Sequence, residues 1–223
     1  MTEIIPAILA RDEAELCAKL AALPREARAV HADFTPSSIS PSVEGEYLSR
    51  AKGRGWVLFK HHHPAPTQGS EHPSSTEEEI FFEAHLMLPH PQEYISELVR
   101  AGFRRIVVQV ENSSPEAFAE LIHEWKHAVE IAPSLEIETP LDVIDSYAHE
   151  LASMQLMGIA EIGAQGRPFD ERVTSRVATL HAKYPHLTIA VDGGVNKKNA
   201  AALTEAGAIR FIVGSAIDEF YGR

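Results

Sequence analysis

The stretch that decides the fold is LTIAVDGGVN, residues 187–196. It begins with a short apolar run typical of a buried parallel strand, and the run ends in Asp192 and two glycines. We therefore expect the Asp192 side chain to point from a strand end into a site. Gly193 and Gly194 can take positive φ angles, so their N–H groups can surround an anion. The motif predicts a phosphate-binding turn, with a tight strand-to-helix turn capped by an aspartate as the alternative.

Alternating strand and helix patterns surround this stretch on both sides. Further strands are expected at residues 3–10, 27–34, 79–88 and 103–111, from Ser134, from Leu156, and at residues 209–217. Eight such strand-and-helix units most simply close as a (β/α)8 TIM barrel, formed by residues 1–223 as a single domain. A doubly wound open sheet is the alternative fold, but the G-x-G-x-x-G turn expected after its first strand is missing.

Several residues mark expected helix boundaries. Asn196 should begin the helix that follows the opening stretch, and Ser114 with Pro115 should begin another that runs to Ile131. Thr139 and Pro140 should begin a third helix. Gly102 is expected to end the helix before the fourth strand.

The composition limits the possible partners. A net charge of -12 argues against nucleic-acid and anionic-membrane surfaces, but it permits a small anionic substrate held by backbone amides. The single cysteine, Cys17, lies on an amphipathic helix, is expected in the core, and excludes an internal disulfide. Because no apolar run reaches about 18 residues, we expect a soluble, cytoplasmic protein that does not bind membranes.

A polar segment interrupts the regular pattern between the second and third strands. Residues 60–79 are rich in His, Pro and Ser and predict a flexible insert. The insert contains His61, His62, His63 and His72. Such a tract is more often solvated, or an adventitious metal trap, than a native metal site.

Two imidazoles and two carboxylates lie at predicted strand ends. His31 and Asp33 alternate along the second strand and so share one face, which is costly for a buried strand unless they bind something. An exposed strand face is the alternative. His85 ends the third strand and Asp192 the seventh. Because the strand ends of a barrel meet at one mouth, these four side chains predict a site for one divalent ion: Zn, Fe(II), Mn or Co.

The ends of the last three strands carry small residues. These are Gly163, Gly166, Gly193, Gly194, Gly214 and Ser215. Their amides predict a phosphate cradle on the opposite rim of the mouth, the usual position in such barrels. A metal on one side and a phosphate grip on the other define a substrate about one sugar long.

The blocks IIPAIL, VHADF, EAHLM, ETPLDV, VDGGVN and VGSAI, in this order, resemble the ribulose-phosphate 3-epimerase family. The resemblance spans nearly the whole chain except residues 36–79. It implies a (β/α)8 barrel that binds one divalent metal through His31, Asp33, His85 and Asp192. It also implies that Asp33 and Asp192 act as the acid/base pair, one on each face of the sugar.

Epimerase chemistry accounts for these residue types. Inverting a carbon beside a ketone requires removal of a weakly acidic proton, stabilisation of an enediolate by a Lewis acid, and reprotonation from the other face. The resemblance implies D-ribulose 5-phosphate and D-xylulose 5-phosphate as the default substrate pair, with another phosphorylated ketose as the alternative. We also expect a homo-oligomer.

The chain departs from the family pattern at several places. Ala7 and Ala10 replace serines of the first strand, and Thr35 replaces a methionine after the second. In the loop after the sixth strand, Ala160 and Glu161 stand where the family has Asn-Pro. Glu161 would repel a phosphate unless it turns outward.

Two other functions fit parts of the same pattern. A Schiff-base lyase on the same phosphate cradle would need a lysine in the barrel. Lys60 is the only strand-end candidate, because it ends the apolar run GWVLFK, residues 55–60, which is expected to form a short strand. A non-catalytic barrel that binds a sugar phosphate or a partner is favoured by the altered loop. The presence of all four candidate metal ligands argues against it.

Overall fold

The computed structural model describes residues 2–35 and 80–222, except for the side chains of Glu13 and Cys17. The expected core position of Cys17 therefore lies outside what is described. So do the 60–79 insert, Lys60 and the histidines at 61–63 and 72. Lys60, the insert and its histidines belong to the segment that separates the second strand from the third.

Eight parallel strands form one closed barrel in chain order, β1 to β8, with β8 paired to β1. The prediction of a single (β/α)8 barrel is confirmed, and the alternative prediction of an open doubly wound sheet is wrong. The strands are β1 Glu3–Leu9, β2 Ala29–Phe34, β3 Phe81–Leu86, β4 Arg105–Gln109, β5 Glu130–Leu135, β6 Ser153–Met157, β7 Thr188–Asp192 and β8 Arg210–Val213.

Helices cover the outside of the barrel. Within the described residues they are α1 Glu13–Ala21, α2 Gln92–Ala101, α3 Pro115–Trp125, α4 Arg172–Lys183, α5 Lys197–Ala206 and α6 Ile217–Tyr221. Three short 3₁₀ turns, Val110–Asn112, Leu141–Ile144 and Ala148–Glu150, complete the connections. No helix in this part of the chain is long and apolar enough to cross a membrane.

The predicted helix signals function as caps. The Ser114 side chain accepts a hydrogen bond from the Ala117 N–H, with Pro115 in the first turn of α3. Asn196 begins α5 and forms a reciprocal capping box with Asn199. Gly102 ends α2 in the left-handed conformation.

Three predictions before and after β5 are wrong. The helix expected to reach Ile131 ends at Trp125, and β5 begins at Glu130 rather than near Ser134. Glu130 and Ile131 pair with Arg105 and Ile106 of β4, so the strand starts earlier than expected. This contact joins residues far apart in the chain, and helical spacing in the local sequence does not indicate it. The helix expected after Pro140 is instead the pair of 3₁₀ turns.

Along each strand, successive side chains point alternately toward the outer helices and into the barrel interior. On the outer side, Ala32 and Leu86 belong to the same buried cluster as Ile95 and Leu98 of α2. Inside the barrel, Ile5, Ala29 and Ile212 form a small apolar layer. His31 follows Ala29 by two positions and is fully buried, so it lies above this layer on the same interior side.

Candidate functional site

Four side chains converge at the C-terminal end of the barrel. One ligand atom from each of His31, Asp33, His85 and Asp192 lies within 4.8 Å of the others. Asp33 Oδ1 is 3.3 Å from both His31 Nε2 and His85 Nδ1. Asp192 Oδ2 is 3.4 Å from His85 Nδ1 and 3.9 Å from His31 Nε2. The four residues expected to form a metal site are thus brought together.

The strand register explains this convergence. His31 and Asp33 point to the same side of β2 because they are two residues apart, and Asp33 is the register partner of His85 on β3. The two imidazole rings meet edge to face, with centroids 5.3 Å apart. Asp192 arrives from β7, which is not adjacent to either strand. The site is therefore held by backbone pairing rather than by flexible loops.

Two interior chains of contacts lie behind the histidines. His31 Nδ1 is 2.6 Å from Glu83 Oε1, and Arg105 binds the other oxygen of Glu83 at 2.5 Å. His85 Nε2 is 3.1 Å from Gln109 Oε1. Each imidazole therefore has one nitrogen facing the site and the other held by a buried polar side chain.

The electrostatics favour positive charge at this position. Burial alone would lower the pKa of His31, but the carboxylates of Asp33 and Glu83 raise it well above its usual value. Burial also opposes the charge on Asp33, yet the two imidazoles lower the pKa of Asp33 to about 2. Because the Asp33 carboxylate stays ionised and stabilises nearby positive charge, the pocket suits a bound cation.

Two buried atoms at the centre lack hydrogen-bond partners. His31 Nε2 and Asp33 Oδ1 are 3.3 Å apart, but their geometry is not that of a hydrogen bond. Buried polar atoms are normally satisfied, so an unsatisfied nitrogen and oxygen facing the same space indicate that a ligand belongs there. The donor set of imidazole nitrogen and carboxylate oxygen fits a divalent transition metal.

Sequence reasoning missed several polar residues around these ligands. Gln155 of β6 places its Nε2 3.2 Å from Asp192 Oδ2 and 3.3 Å from His85 Nδ1. Glu83, Arg105 and Gln109 are also buried inside the barrel. The available signal was the strand alternation itself: Glu83 precedes His85 by two positions, just as His31 precedes Asp33.

A cleft opens above the four residues and contains about 500 Å³ of space, part of it open solvent. Asp33 and Asp192 line it. So do all six residues expected to form the phosphate cradle, namely Gly163, Gly166, Gly193, Gly194, Gly214 and Ser215. The carboxylates and the glycine-rich loops therefore face one common space.

The turn after β7 requires glycine. Gly193 and Gly194 have φ angles of +97° and +68°. A Cβ atom on Gly194 would lie 2.7 Å from the Cα atom of Phe169, well inside van der Waals contact. The backbone of this turn therefore lies so close to Phe169 that position 194 has room for glycine but not for a residue with a Cβ atom.

The altered loop after β6 turns its acidic side chain away from the cleft. Glu161 is 71% exposed and pairs with Arg167 at 3.0 Å. Arg167 lines the cleft, whereas Glu161 is not among the described residues that do so. The repulsion expected from Glu161 is thus offset by a guanidinium that sequence reasoning did not single out.

The other departures have distinct surroundings. Ala7 lines the cleft and its carbonyl oxygen accepts a hydrogen bond of 3.4 Å from the Gln165 side chain. Thr35 is buried. Ala10 does not belong to the described lining of the cleft. Among these three departures, all within the described residues, the one at Ala7 is thus the one that lines the cleft.

Fold and site together define a (β/α)8 barrel with a buried His/Asp cluster beneath a glycine-rimmed cleft. The profile of the ribulose-phosphate 3 epimerase family matches residues 69–218. The chain belongs to this family.

Named relatives agree with the family match. Ribulose-phosphate 3-epimerase of Schizosaccharomyces pombe is 34% identical over 143 residues, covering 64% of this chain and 61% of the relative. The Candida glabrata enzyme of the same name is 29% identical, covering 61% and 55%. These matches span less than two thirds of either relative. A ribulose-phosphate 3-epimerase of Eremothecium gossypii matches over 96% of this chain and 85% of its own length, at 27% identity.

Solved structures support the fold. The crystal structure of 3-keto-L-gulonate-6-phosphate decarboxylase from Vibrio cholerae superposes with a TM-score of 0.67, covering 97% of this chain and 90% of that one. The sequence identity is 13%, so this likeness concerns the barrel alone.

Proposed function

We propose that the protein is a metal-dependent epimerase that inverts C3 of a phosphorylated ketose, with D-ribulose 5-phosphate and D-xylulose 5-phosphate as the substrate pair. The observation that carries this proposal is the placement of two carboxylates around one imidazole nitrogen. Asp33 and Asp192 come from non-adjacent strands, and both lie within 3.4 Å of His85 Nδ1 at the floor of the cleft.

The two carboxylates serve as opposed proton carriers. One aspartate removes the C3 proton of the ketose, and the C–H bonding electrons pass into the enediolate. The other aspartate enters the step protonated, delivers its proton to C3 from the opposite face and is left as the carboxylate, so the two aspartates exchange protonation states and the configuration inverts with no net redox change. Both aspartates line the cleft, so both can contact a substrate bound there.

The ion would be held by His31, Asp33, His85 and Asp192. Their ligand atoms lie within 4.8 Å of one another, and His31 Nε2 and Asp33 Oδ1 lack hydrogen-bond partners. Zn, Fe(II), Mn and Co are the candidates for such a nitrogen and oxygen set. A bound divalent ion supplies Lewis-acid stabilisation of the negative charge that develops on the substrate oxygens.

The phosphate would be bound on the opposite rim by the amides of the glycine loops. The rim includes Gly193, Gly194 and Gly214, and Arg167 adds a guanidinium to the same cleft. Binding the remote phosphate holds C3 between the two carboxylates, which converts binding energy into orientation. Ala7 offers no hydroxyl to the sugar, so a different phosphorylated ketose remains the alternative substrate. A homo-oligomer and a cytoplasmic location stay predictions from the sequence.

The test is proton exchange at the inverted carbon. Full-length protein loaded with one divalent ion is incubated in D2O with D-ribulose 5-phosphate, and deuterium at C3 and the xylulose isomer are followed by NMR. Deuterium uptake with formation of the second isomer is expected. A panel of other phosphorylated ketoses identifies the preferred substrate. Binding of the panel without any exchange would contradict the proposal and favour the non-catalytic barrel.

A further inference from the structure

We infer that Gln165 is a specificity-determining residue whose carboxamide binds the hydroxyl group on C4 of the ketose. C4 is the carbon between the inverted C3 and the carbon that carries the phosphate. This role, which rests on the proposed function, falls to the loop that follows β6. The loop would then select the substrate in addition to helping to bind its phosphate.

The Gln165 side chain extends from this loop to the ends of β1 and β8. Its Nε2 atom donates a hydrogen bond of 3.4 Å to the carbonyl oxygen of Ala7. The same nitrogen lies 2.9 Å from the position that a Cβ atom on Gly214 would occupy, and the Cδ atom lies 3.2 Å from it. All three residues line the cleft. The carboxamide therefore lies against the ends of these two strands, on the side that a ligand would face.

Two small residues leave the space that the carboxamide occupies. Ala7 carries only a methyl group, and Gly214 carries no side chain. A Cβ atom on Gly214 would come closer to the Gln165 amide than ordinary van der Waals contact permits. Gln165 thus brings a hydrogen-bond donor and an acceptor to a strand end whose own side chain, that of Ala7, has neither.

The strand register places this carboxamide between the His/Asp cluster and the glycine rim expected to bind the phosphate. Ala7 is the register partner of His31. Gly214 belongs to the rim and directly follows the β8 residue that pairs with Pro6, so it is level with Ala7. A ketose with C3 at the two carboxylates and its phosphate at the rim has C4 between them. Gln165 is therefore placed to bind the C4 hydroxyl.

The hydrogen-bonding capacity of a carboxamide matches that of a hydroxyl group. Ala7 uses one N–H of the Gln165 amide, which leaves the other N–H and the amide oxygen for a ligand. A hydroxyl both donates and accepts, whereas a phosphate oxygen mainly accepts. An analogue without the hydroxyl would leave the amide without its ligand partner, and such a loss is how a polar group selects a substrate. Because Gln165 is exposed, the effect should be that of one neutral hydrogen bond.

The direct test compares two substrates that differ only at C4. D-ribulose 5-phosphate and its 4-deoxy analogue are incubated in D2O with Zn²⁺-loaded protein, and kcat/KM for deuterium uptake at C3 is measured for each. The ratio of the two constants reports how strongly the protein recognises the C4 hydroxyl. Gln165→Met removes the carboxamide at nearly constant side-chain length and should lower this ratio by about 3- to 10-fold.

The matched control is Gln92→Met. Gln92 is exposed at the start of α2 and lies outside the described lining of the cleft, so the ratio should equal that of the wild type. If Gln165 only anchored its loop, Gln165→Met would lower kcat/KM for both compounds to the same extent. An unchanged ratio therefore overturns the inference and leaves the proposed function intact. A wild-type chain that exchanges neither compound contradicts both.

Gly214→Ala tests the placement of the carboxamide without deleting it. The backbone of Gly214 is not left-handed and accepts alanine, but the new methyl group would lie 2.9 Å from Gln165 Nε2 and displace it. We expect the ratio to fall as in Gln165→Met. Any change in phosphate binding affects both compounds equally and so leaves the ratio unaltered. A ratio that stays at the wild-type value would overturn the inference.

Discussion

The two rims of the cleft are built in opposite ways. The first rim consists of side chains at the strand ends themselves, which strand register fixes: His31 and Asp33 of β2, His85 of β3 and Asp192 of β7. On the rim formed after β6, β7 and β8, the lining is mostly backbone in loops, and its charged side chain, Arg167, is half exposed. We expect the first rim to carry the chemistry and the second to carry binding. Substitutions on the two sides should therefore affect different kinetic constants.

The largest effect is expected from Asp192→Asn. The amide cannot exchange the C3 proton, so turnover and deuterium uptake should fall by about 10³-fold or more, since one general base typically contributes about 10²- to 10⁴-fold. Exchange is measured by NMR in D2O with metal-loaded protein.

The matched control for this variant is Asp145→Asn. Asp145 is an exposed carboxylate paired with Lys183 and Tyr184, away from the cleft. It should retain full exchange. Unchanged exchange in Asp192→Asn would show that this carboxylate is not a proton carrier.

The next effect concerns the shape of the loop rim. Gly194→Ala combines a φ of +68° with a Cβ position 2.7 Å from the Cα atom of Phe169. We expect the free energy of unfolding to fall by about 3 kcal/mol, the upper part of the usual range for one substitution. Denaturant titration measures it.

Gly102→Ala separates the two causes. Gly102 also has a positive φ, +97°, but a Cβ there would meet nothing within 4 Å. Its cost should be about 1 kcal/mol, that of the left-handed backbone alone. Equal losses for both variants would mean that the contact with Phe169 does not constrain the rim.

The smallest effect is expected at the exposed guanidinium. Arg167→Met should raise KM for the phosphorylated ketose by about 3- to 10-fold and leave kcat unchanged, because an exposed charge contributes only about 1 kcal/mol. Glu161→Gln serves as the comparison, since it frees Arg167 from its 3.0 Å ion pair and should not raise KM. A fall in kcat in Arg167→Met would contradict the division between the rims.

The contrast between the rims also explains what the sequence could predict. His31, Asp33, His85 and Asp192 could be placed together because strand alternation and the barrel rule fix where strand-end side chains point. The same alternation, applied two positions before His85 on β3, would have predicted that Glu83 also points into the barrel. Arg167 could not be found, because no periodicity governs a loop whose course depends on contacts such as that of Gly194 with Phe169.

The errors around β5 have a similar origin. The helical spacing of residues 114–125 gives way to a turn and then to a strand. Only the pairing with β4 fixes the start of β5 at Glu130. After Pro140, the connection is tied down by tertiary contacts instead of forming a regular helix. Glu111 accepts hydrogen bonds from Glu136 and Thr139, and Arg176 donates to the carbonyl oxygen of Thr139.

The metal content of the chain tests the central claim most directly. Purified wild-type protein, stripped and reloaded with Zn²⁺, should hold about one tightly bound ion per chain, as a single catalytic site requires. The His31→Gln/His85→Gln double variant should hold none. A wild-type chain without tightly bound metal would contradict the account, and so would a double variant that binds as much as the wild type, because the ion would then lie elsewhere, for example at His61–His63.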